Sequence, residues 1–274
     1  MGPGLIAPAR LGGGERVAGL KIRHESRRSS WVTFQVSLVS GDLHGIKRTP
    51  VTRSMKEADY WATSTRRFYE DHAADYAAAT LKLSMRTAMD QFVGSLSCRA
   101  SVLDLGCGGG RDLRALREQA FSAIGVDWAI SIAAVARRNS GCPTVVGDLR
   151  DLPFADEAFN GAWASASLLH LRRDEVPRAL AEAWRVLKPG ALFFASVKKG
   201  IGEIEDSEGR WFTFFERDEW GELLTANGFI DERIEVTTGV PVANIQQNGS
   251  WITSFARRSL ISMHRGNAHG KTMR

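Results

Sequence analysis

Cysteine is scarce in this chain: Cys98, Cys107 and Cys142 are the three in 274 residues. An odd number without paired spacing cannot form a disulfide framework, and the three thiols lack the clustering of a zinc site. No metal is therefore expected, and a reducing, cytoplasmic compartment fits. The sequence also lacks any run of about 18 apolar residues, which removes a transmembrane helix and with it an expected membrane role. Residues 1–20 contain no continuous apolar segment of the secretory type. Ile6 stands where an N-myristoylation signal needs Ser or Thr.

What is present is enough for a globular enzyme-sized body. Apolar residues make up 43% and charged residues 24%, and the length predicts one large domain or two small ones. The net charge of +5 is unevenly spread: residues 1–54 hold nine Lys/Arg against three Asp/Glu, and residues 255–274 hold five Lys/Arg and no acid. Residues 55–254 therefore carry a net charge of −6. An acidic body speaks against a nucleic-acid substrate, whose footprint needs a basic face. Residues 1–54 read as a disordered or loosely attached basic extension and residues 259–274 as a basic, disordered tail, leaving 55–258 as the folded domain. Within the extension only Trp31–Val39 alternates like a strand. The same Arg/Ser-rich, acid-poor start is compatible with an organellar presequence, and Met55, where patterning begins, with an alternative start.

From Lys56 the pattern turns helical, with Tyr60 and Trp61 answered by Phe68 and Tyr69 on one face. Ala73–Phe92 reads as a second helix. Seven apolar strands follow, at Ser101–Leu105, Ala123–Asp127, Thr144–Gly147, Gly161–Ser165, Ala191–Val197, Phe229–Val236 and Ser250–Arg257. Helices are expected at Arg111–Ala120, Ile130–Asn139, Asp174–Leu187 and Asp218–Asn227. Such alternation implies an α/β fold: a doubly wound, mostly parallel, seven-stranded sheet with helices on both faces and ligands at the carboxyl ends of its strands.

The most informative segment runs Val102-Leu103-Asp104-Leu105-Gly106-Cys107-Gly108-Gly109-Gly110-Arg111-Asp112. An apolar strand enters four glycines and leaves in a helix, so backbone can approach a ligand where side chains would clash. A glycine-rich turn of any α/β protein would look similar. The dinucleotide spacing G-x-G-x-x-G fails, because counting from Gly106 puts Arg111 at the third glycine. The spacing Asp104-x-Gly106-x-Gly108-x-Gly110 instead resembles the first motif of the class I S-adenosylmethionine-dependent methyltransferases, and the likeness extends from about Tyr69 to Arg257.

That resemblance implies S-adenosylmethionine as cofactor and a Rossmann-like methyltransferase fold. Asp127, 23 residues after Asp104, ends the second strand where a carboxylate can accept from both ribose hydroxyls. Asp148 falls where the family places an acceptor for the adenine amino group. Residues past the fourth strand line the methionine end in the family, which points to Ser165 and its neighbours. The implied cofactor contacts are Asp104, Gly106, Cys107, Gly108, Gly110, Asp127, Trp128, Asp148, Leu149 and Ser165. Arg185-Val186-Leu187-Lys188-Pro189-Gly190 matches the family's helix–turn–strand signature and fixes the sheet's register.

Methyl transfer from a sulfonium is an in-line displacement, and a base is needed only where the nucleophile carries a proton worth removing. His170, just past the fourth strand, is the candidate base; a histidine bonded to backbone would look the same. Residues 164–167 lack the Pro-Pro-aromatic run of base-amine methyltransferases. No cysteine stands where cytosine C5 methylation needs one, and Ser165 departs from a catechol-type metal site. Substrate walls are expected from Tyr69–Leu83, His170–Arg173 and Lys198–Phe215, with Tyr69, Tyr76, Trp211 and Phe214 as contacts. The aromatic run Trp211–Phe215 reads equally as a lid or an edge strand. Lys198-Lys199 and Arg172-Arg173 are able to attract an anionic substrate, although such pairs are usually solvated. The expectation is a methyltransferase for a small molecule. A nucleic-acid or tRNA methyltransferase, or a cofactor-binding protein without transferase activity, stays open beside it.

Overall fold

The computed structural model describes residues 60–83, 85–238 and 249–260. The extension 1–54 with Trp31–Val39, and residues 261–274 of the tail, lie outside the described residues. Five parallel strands form the centre: β1 (Ser101–Leu105), β2 (Ser122–Asp127), β3 (Thr144–Val146), β4 (Phe159–Ser165) and β5 (Leu187–Lys199), in spatial order β3-β2-β1-β4-β5. Beyond β5 the sheet continues through β9 (Ser250–Arg258), antiparallel to β5, and β8 (Phe229–Thr238), antiparallel to β9. These seven are the expected strands.

Two more make nine. The hairpin β6 (Glu203–Glu205) and β7 (Trp211–Phe215) joins the carboxyl end of β5, Lys198 pairing with Phe214 and Lys199 with Phe215. The aromatic run is thus a strand, held by ladder hydrogen bonds as well as by its rings.

The helices are α1 (Tyr60–Asp71), α2 (Ala73–Thr80), α3 (Arg86–Gly94), α4 (Arg111–Glu118), α5 (Ile130–Ser140), α6 (Val176–Val186) and α7 (Arg217–Ala226). The single helix expected over Ala73–Phe92 is two. The Thr80 hydroxyl donates back to the Tyr76 carbonyl at 2.8 Å, and the Leu83 N–H closes a turn onto Thr80 at 3.0 Å. The break lets Ala77 pack toward the glycine loop while Met89 and Phe92 join the core under the sheet. Among the described residues no helix is long and apolar enough to cross a membrane.

Strand alternation divides the core into two layers. Leu103 and Leu105 of β1 face α6 and α7, with Phe193, Trp220 and Phe229. Val102 faces the opposite layer, with Phe92, Leu113, Trp163, Phe194 and Phe255. Trp163 is that layer's centre: fully buried, stacked on Phe194 with centroids 3.8 Å apart, its indole N–H donates to Asp112 Oδ2 at 2.9 Å. Asp112 is also gripped by the Arg111 guanidinium through two 2.7 Å bonds, so the start of α4 is tied to β4 directly beneath the glycine loop.

Candidate functional site

The loop from Gly106 to Gly110 bridges the carboxyl end of β1 and the start of α4. Gly110 caps α4 at φ +82°, and a Cβ there would lie 2.6 Å from the Ala136 carbonyl of α5. That glycine serves packing. Gly108, at φ +51°, has only the Tyr76 ring edge near its missing Cβ, at 3.5 Å, so its backbone is the part of the loop open to close approach. Its N–H donates to Asp127 Oδ2 at 3.0 Å, and the Ala129 N–H donates to Asp127 Oδ1 at 3.1 Å. Each carboxylate oxygen keeps a second lone pair, enough to accept from two hydroxyls. Burial pushes Asp127 up to about 6, against the pull of these backbone N–H bonds.

Two further oxygens around the loop are buried without a donor among the described residues: Asp104 Oδ2 and Ser167 Oγ. Burial, reinforced by the Asp112 carboxylate, holds Asp104 well above the usual carboxylate range. Buried polar atoms of this kind want a partner; the carboxylate oxygen accepts, and the hydroxyl can accept or donate. Carboxylates beside the loop suit a ligand with hydroxyls and positive charge, and would repel the pyrophosphate of a dinucleotide. Ser167 packs so closely on Gly106 that a Cβ there would lie 2.4 Å from its own. The sequence pointed to Ser165 and its neighbours without singling Ser167 out. Ser165 is half-buried at the end of β4, and the next residue, Ala166, has φ +54° and donates to Ser196 Oγ at 2.9 Å. Cys107 is buried against Gly125, its thiol pushed up by burial. Its backbone N–H, bonded to the Val126 carbonyl at 3.0 Å, shapes the loop.

Asp148 departs from the simple strand-end acceptor expected of it. Arg150, 3% exposed, clasps it with its backbone N–H at 2.8 Å and its guanidinium at 2.7 to 3.1 Å, and also pairs with Glu175. The same guanidinium lies over the Trp128 ring at 5.2 Å. Arg150 therefore positions both the carboxylate and the ring at this end of the site. Trp128 and Leu149 are partly buried against the first core layer.

Helices α1 and α2 roof the loop. Glu70 fastens them: its carboxylate accepts from the Ile130 and Ser131 N–H groups at 2.7 Å each, capping α5 just after Asp127. Tyr69 and Tyr76 meet edge to face at 5.0 Å. The Tyr69 hydroxyl lies 2.8 Å from His170 Nε2, and His170 Nδ1 lies 2.7 Å from the Trp211 carbonyl oxygen. A carbonyl only accepts, so the proton sits on Nδ1 and Nε2 accepts from Tyr69. Burial lowers His170 to about 4. Held at both nitrogens in this way, the ring matches the backbone-bonded histidine that the sequence left open beside the base, and it positions Tyr69.

The expected aromatic wall also changes. In β7, Trp211, Thr213 and Phe215 share one face, and the Trp211 indole N–H donates toward Glu203 and Thr213 at 3.3 and 3.2 Å. The ring on His170 is that of Phe212, at 4.8 Å. Phe214 shares Phe212's face, its ring beside Gly200.

The family described as "Methyltransferase domain" matches residues 103–195, from β1 into β5. The chain is 31% identical over 126 residues to the malonyl-[acyl-carrier protein] O-methyltransferase of Salmonella typhimurium, covering 45% of this chain and 46% of that protein. It is 30% identical over 100 residues to 24-methylenesterol C-methyltransferase 2 of Arabidopsis thaliana, covering 34% of this chain and 27% of that protein. The chain thus spans less than half the length of these two relatives. Among solved structures, the Burkholderia thailandensis 1,6-didemethyltoxoflavin-N1-methyltransferase, with 1,6-didemethyltoxoflavin and S-adenosylhomocysteine bound, superposes with a TM-score of 0.62 at 24% identity, covering 80% of this chain and 97% of that one. The [4+2]-cyclase SpnF superposes at 0.56 with 21% identity, covering 72% of this chain and 97% of that one. Residues 103–195 are thus those of a methyltransferase domain, set in a fold shared with S-adenosylmethionine-dependent methyltransferases of known structure.

Proposed function

We propose that the protein transfers the methyl group of S-adenosylmethionine to a small organic acceptor. The observation that carries this reading is the roof of Tyr69, Tyr76, His170 and Phe212 over the glycine loop, an aromatic enclosure rather than an open basic groove. Relatives named for a malonyl thioester, a sterol and didemethyltoxoflavin support it.

The cofactor supplies an electrophilic methyl on a sulfonium, and the chain's residues hold, orient and exclude water. Asp127 and the Gly108 backbone would hold the ribose hydroxyls. Trp128, Asp148 and Leu149 would hold the adenine, with Arg150 fixing the carboxylate. Asp104 Oδ2 and Ser167 Oγ would accept from the ammonium of the methionine end, beside Cys107 and Ser165. His170 keeps Tyr69 aimed by accepting a hydrogen bond from its hydroxyl at Nε2, so Tyr69 would position the acceptor. With no strong base beside Tyr69 among the described residues, the acceptor's own lone pair would attack, and any proton would pass afterwards to water.

Two measurements test the reading. Incubation of metabolite extracts with methyl-labelled cofactor should place label in a low-molecular-weight product, with turnover nearly independent of salt. Methylation of bulk tRNA or DNA, with affinity falling by orders of magnitude between about 50 and 200 mM salt, would replace it with a nucleic-acid enzyme. SpnF is a [4+2]-cyclase on the same fold, so binding without label transfer would favour a non-transferase role.

Asp127 adds a pH signature. Its carboxylate titrates at about 6, and only the ionised form accepts from both hydroxyls, so S-adenosylhomocysteine should bind about tenfold more weakly at pH 5 than at pH 7.5. Calorimetry across that range checks it; a flat profile would remove Asp127 from the ribose.

A further inference from the structure

The sequence singles out two pairs of basic residues near the site, and the structure treats their members differently. Arg172 pairs with Asp174, Arg173 with Glu219 and Lys199 with Glu216. Lys198 is 2% exposed and makes no ion pair or hydrogen bond among the described residues. Its ammonium lies 4.4 Å from the centroid of the Trp251 ring. Lys198 pairs in register with Phe214 on one side and Trp251 on the other, so the three side chains leave the sheet on one face. On that face Ser196, one pleat before it, accepts from the Ala166 N–H beside Ser165. Phe212, one pleat before Phe214, meets His170. The lysine thus stands at the carboxyl end of β5, along the same wall as the aromatic roof and further from the glycine loop.

A shielded cation without a carboxylate is costly, and one aromatic face offsets only part of that cost. Burial alone pulls its ammonium down to about 8, which leaves it mostly charged at neutral pH. A fold that keeps such a group next to its reaction site gains from it when a negatively charged ligand arrives.

We propose that Lys198, framed by Phe214 and Trp251, is the counter-charge for an anionic oxygen group, carboxylate or phosphate, carried by the acceptor at the end remote from the methylated atom. This rests on the reading that the site methylates a small molecule. It narrows the substrate class to anionic compounds, with Lys198 setting specificity rather than touching the transferred methyl.

The test uses the full chain with ε-13C-labelled lysines, saturated with S-adenosylhomocysteine and titrated with benzoate, phenyl phosphate and uncharged benzamide. One lysine resonance, the one missing from both Lys198→Met and Lys198→Arg, should shift with an anionic probe and stay still with benzamide. Lys198→Met should weaken that probe roughly 10- to 100-fold, the range for a hydrogen bond to a charged group, while Lys198→Arg retains most of the binding. S-adenosylhomocysteine affinity should not change, and the melting temperature of Lys198→Met should hold or rise, since an unpaired charge is removed. The stronger of the two anions tells carboxylate from phosphate. Silence of the Lys198 resonance with both anions, unchanged probe affinity in Lys198→Met, or a marked fall in its melting temperature would overturn the proposal. Failure of the wild type to bind S-adenosylhomocysteine would strike at the cofactor assignment instead, so the two failures are told apart.

Discussion

Asp127→Ala should bind S-adenosylhomocysteine about 10- to 100-fold more weakly than the wild type, a loss of roughly 1.5–3 kcal/mol for hydrogen bonds to a charged acceptor. The carboxylate has two tasks, because it accepts from the Gly108 and Ala129 N–H groups as well as facing the ligand. Truncation would therefore free the loop and leave two donors unpaired, and binding loss alone would not separate the causes. Asp127→Asn does, since its single carbonyl oxygen can satisfy one backbone donor and one hydroxyl. It should fall between wild type and Asp127→Ala in calorimetry. Asp148→Ala should cost less affinity, one amine contact replacing two hydroxyls. It also removes one of the two carboxylates, Asp148 and Glu175, that hold the buried Arg150, so its melting temperature should fall more than that of Asp127→Ala. Wild-type affinity in Asp127→Ala would mean the ribose lies elsewhere.

The largest loss of stability is expected from Trp163→Ala, about 3–5 kcal/mol for a large aromatic removed from a packed core. The ring is fully buried between Phe92 and Phe194, and its N–H is a partner of Asp112 beneath the glycine loop. Trp163→Phe keeps most of the packing and loses only that bond, so it should cost far less, because Arg111 still neutralises Asp112. Urea unfolding of the two variants checks this. Equal losses would place the energy in the hydrogen bond rather than in the packing.

What could be read from the sequence was what is local in it. The glycine loop, Asp104, Asp127 and the strand–helix alternation sit within short windows, each set by its own periodicity and turn chemistry, and their elements appear within a few residues of the expected bounds. The break between α2 and α3 escaped because the apolar spacing continues through it; the turn comes from Thr80 and from the different surfaces its two halves cover. Tyr69 and His170 are 101 residues apart and Trp211 a further 41 from His170. Their hydrogen bonds depend on the β6–β7 hairpin docking onto α1, which no local pattern encodes. For the same reason the run Trp211–Phe215 could be recognised as aromatic but not sorted into faces until its pairing with β5 fixed the register. Glu70, Arg150 and Ser167 acquire their places through contacts with α5, Asp148 and Gly106. Lys198 looked like half of a solvated basic pair, and its place between Phe214 and Trp251 follows from the pairing of β5 with β7 and β9.

The central claim is that the loop at Gly106–Gly110 holds S-adenosylmethionine, and calorimetric titration of the full chain with S-adenosylhomocysteine tests it most directly. The account predicts saturable binding at one site, absent in Gly108→Val, where a β-branched residue is forced to positive φ beside Tyr76, with the variant still folded by circular dichroism. Binding of NAD with no response to S-adenosylhomocysteine, or equal S-adenosylhomocysteine affinity in Gly108→Val, would contradict it.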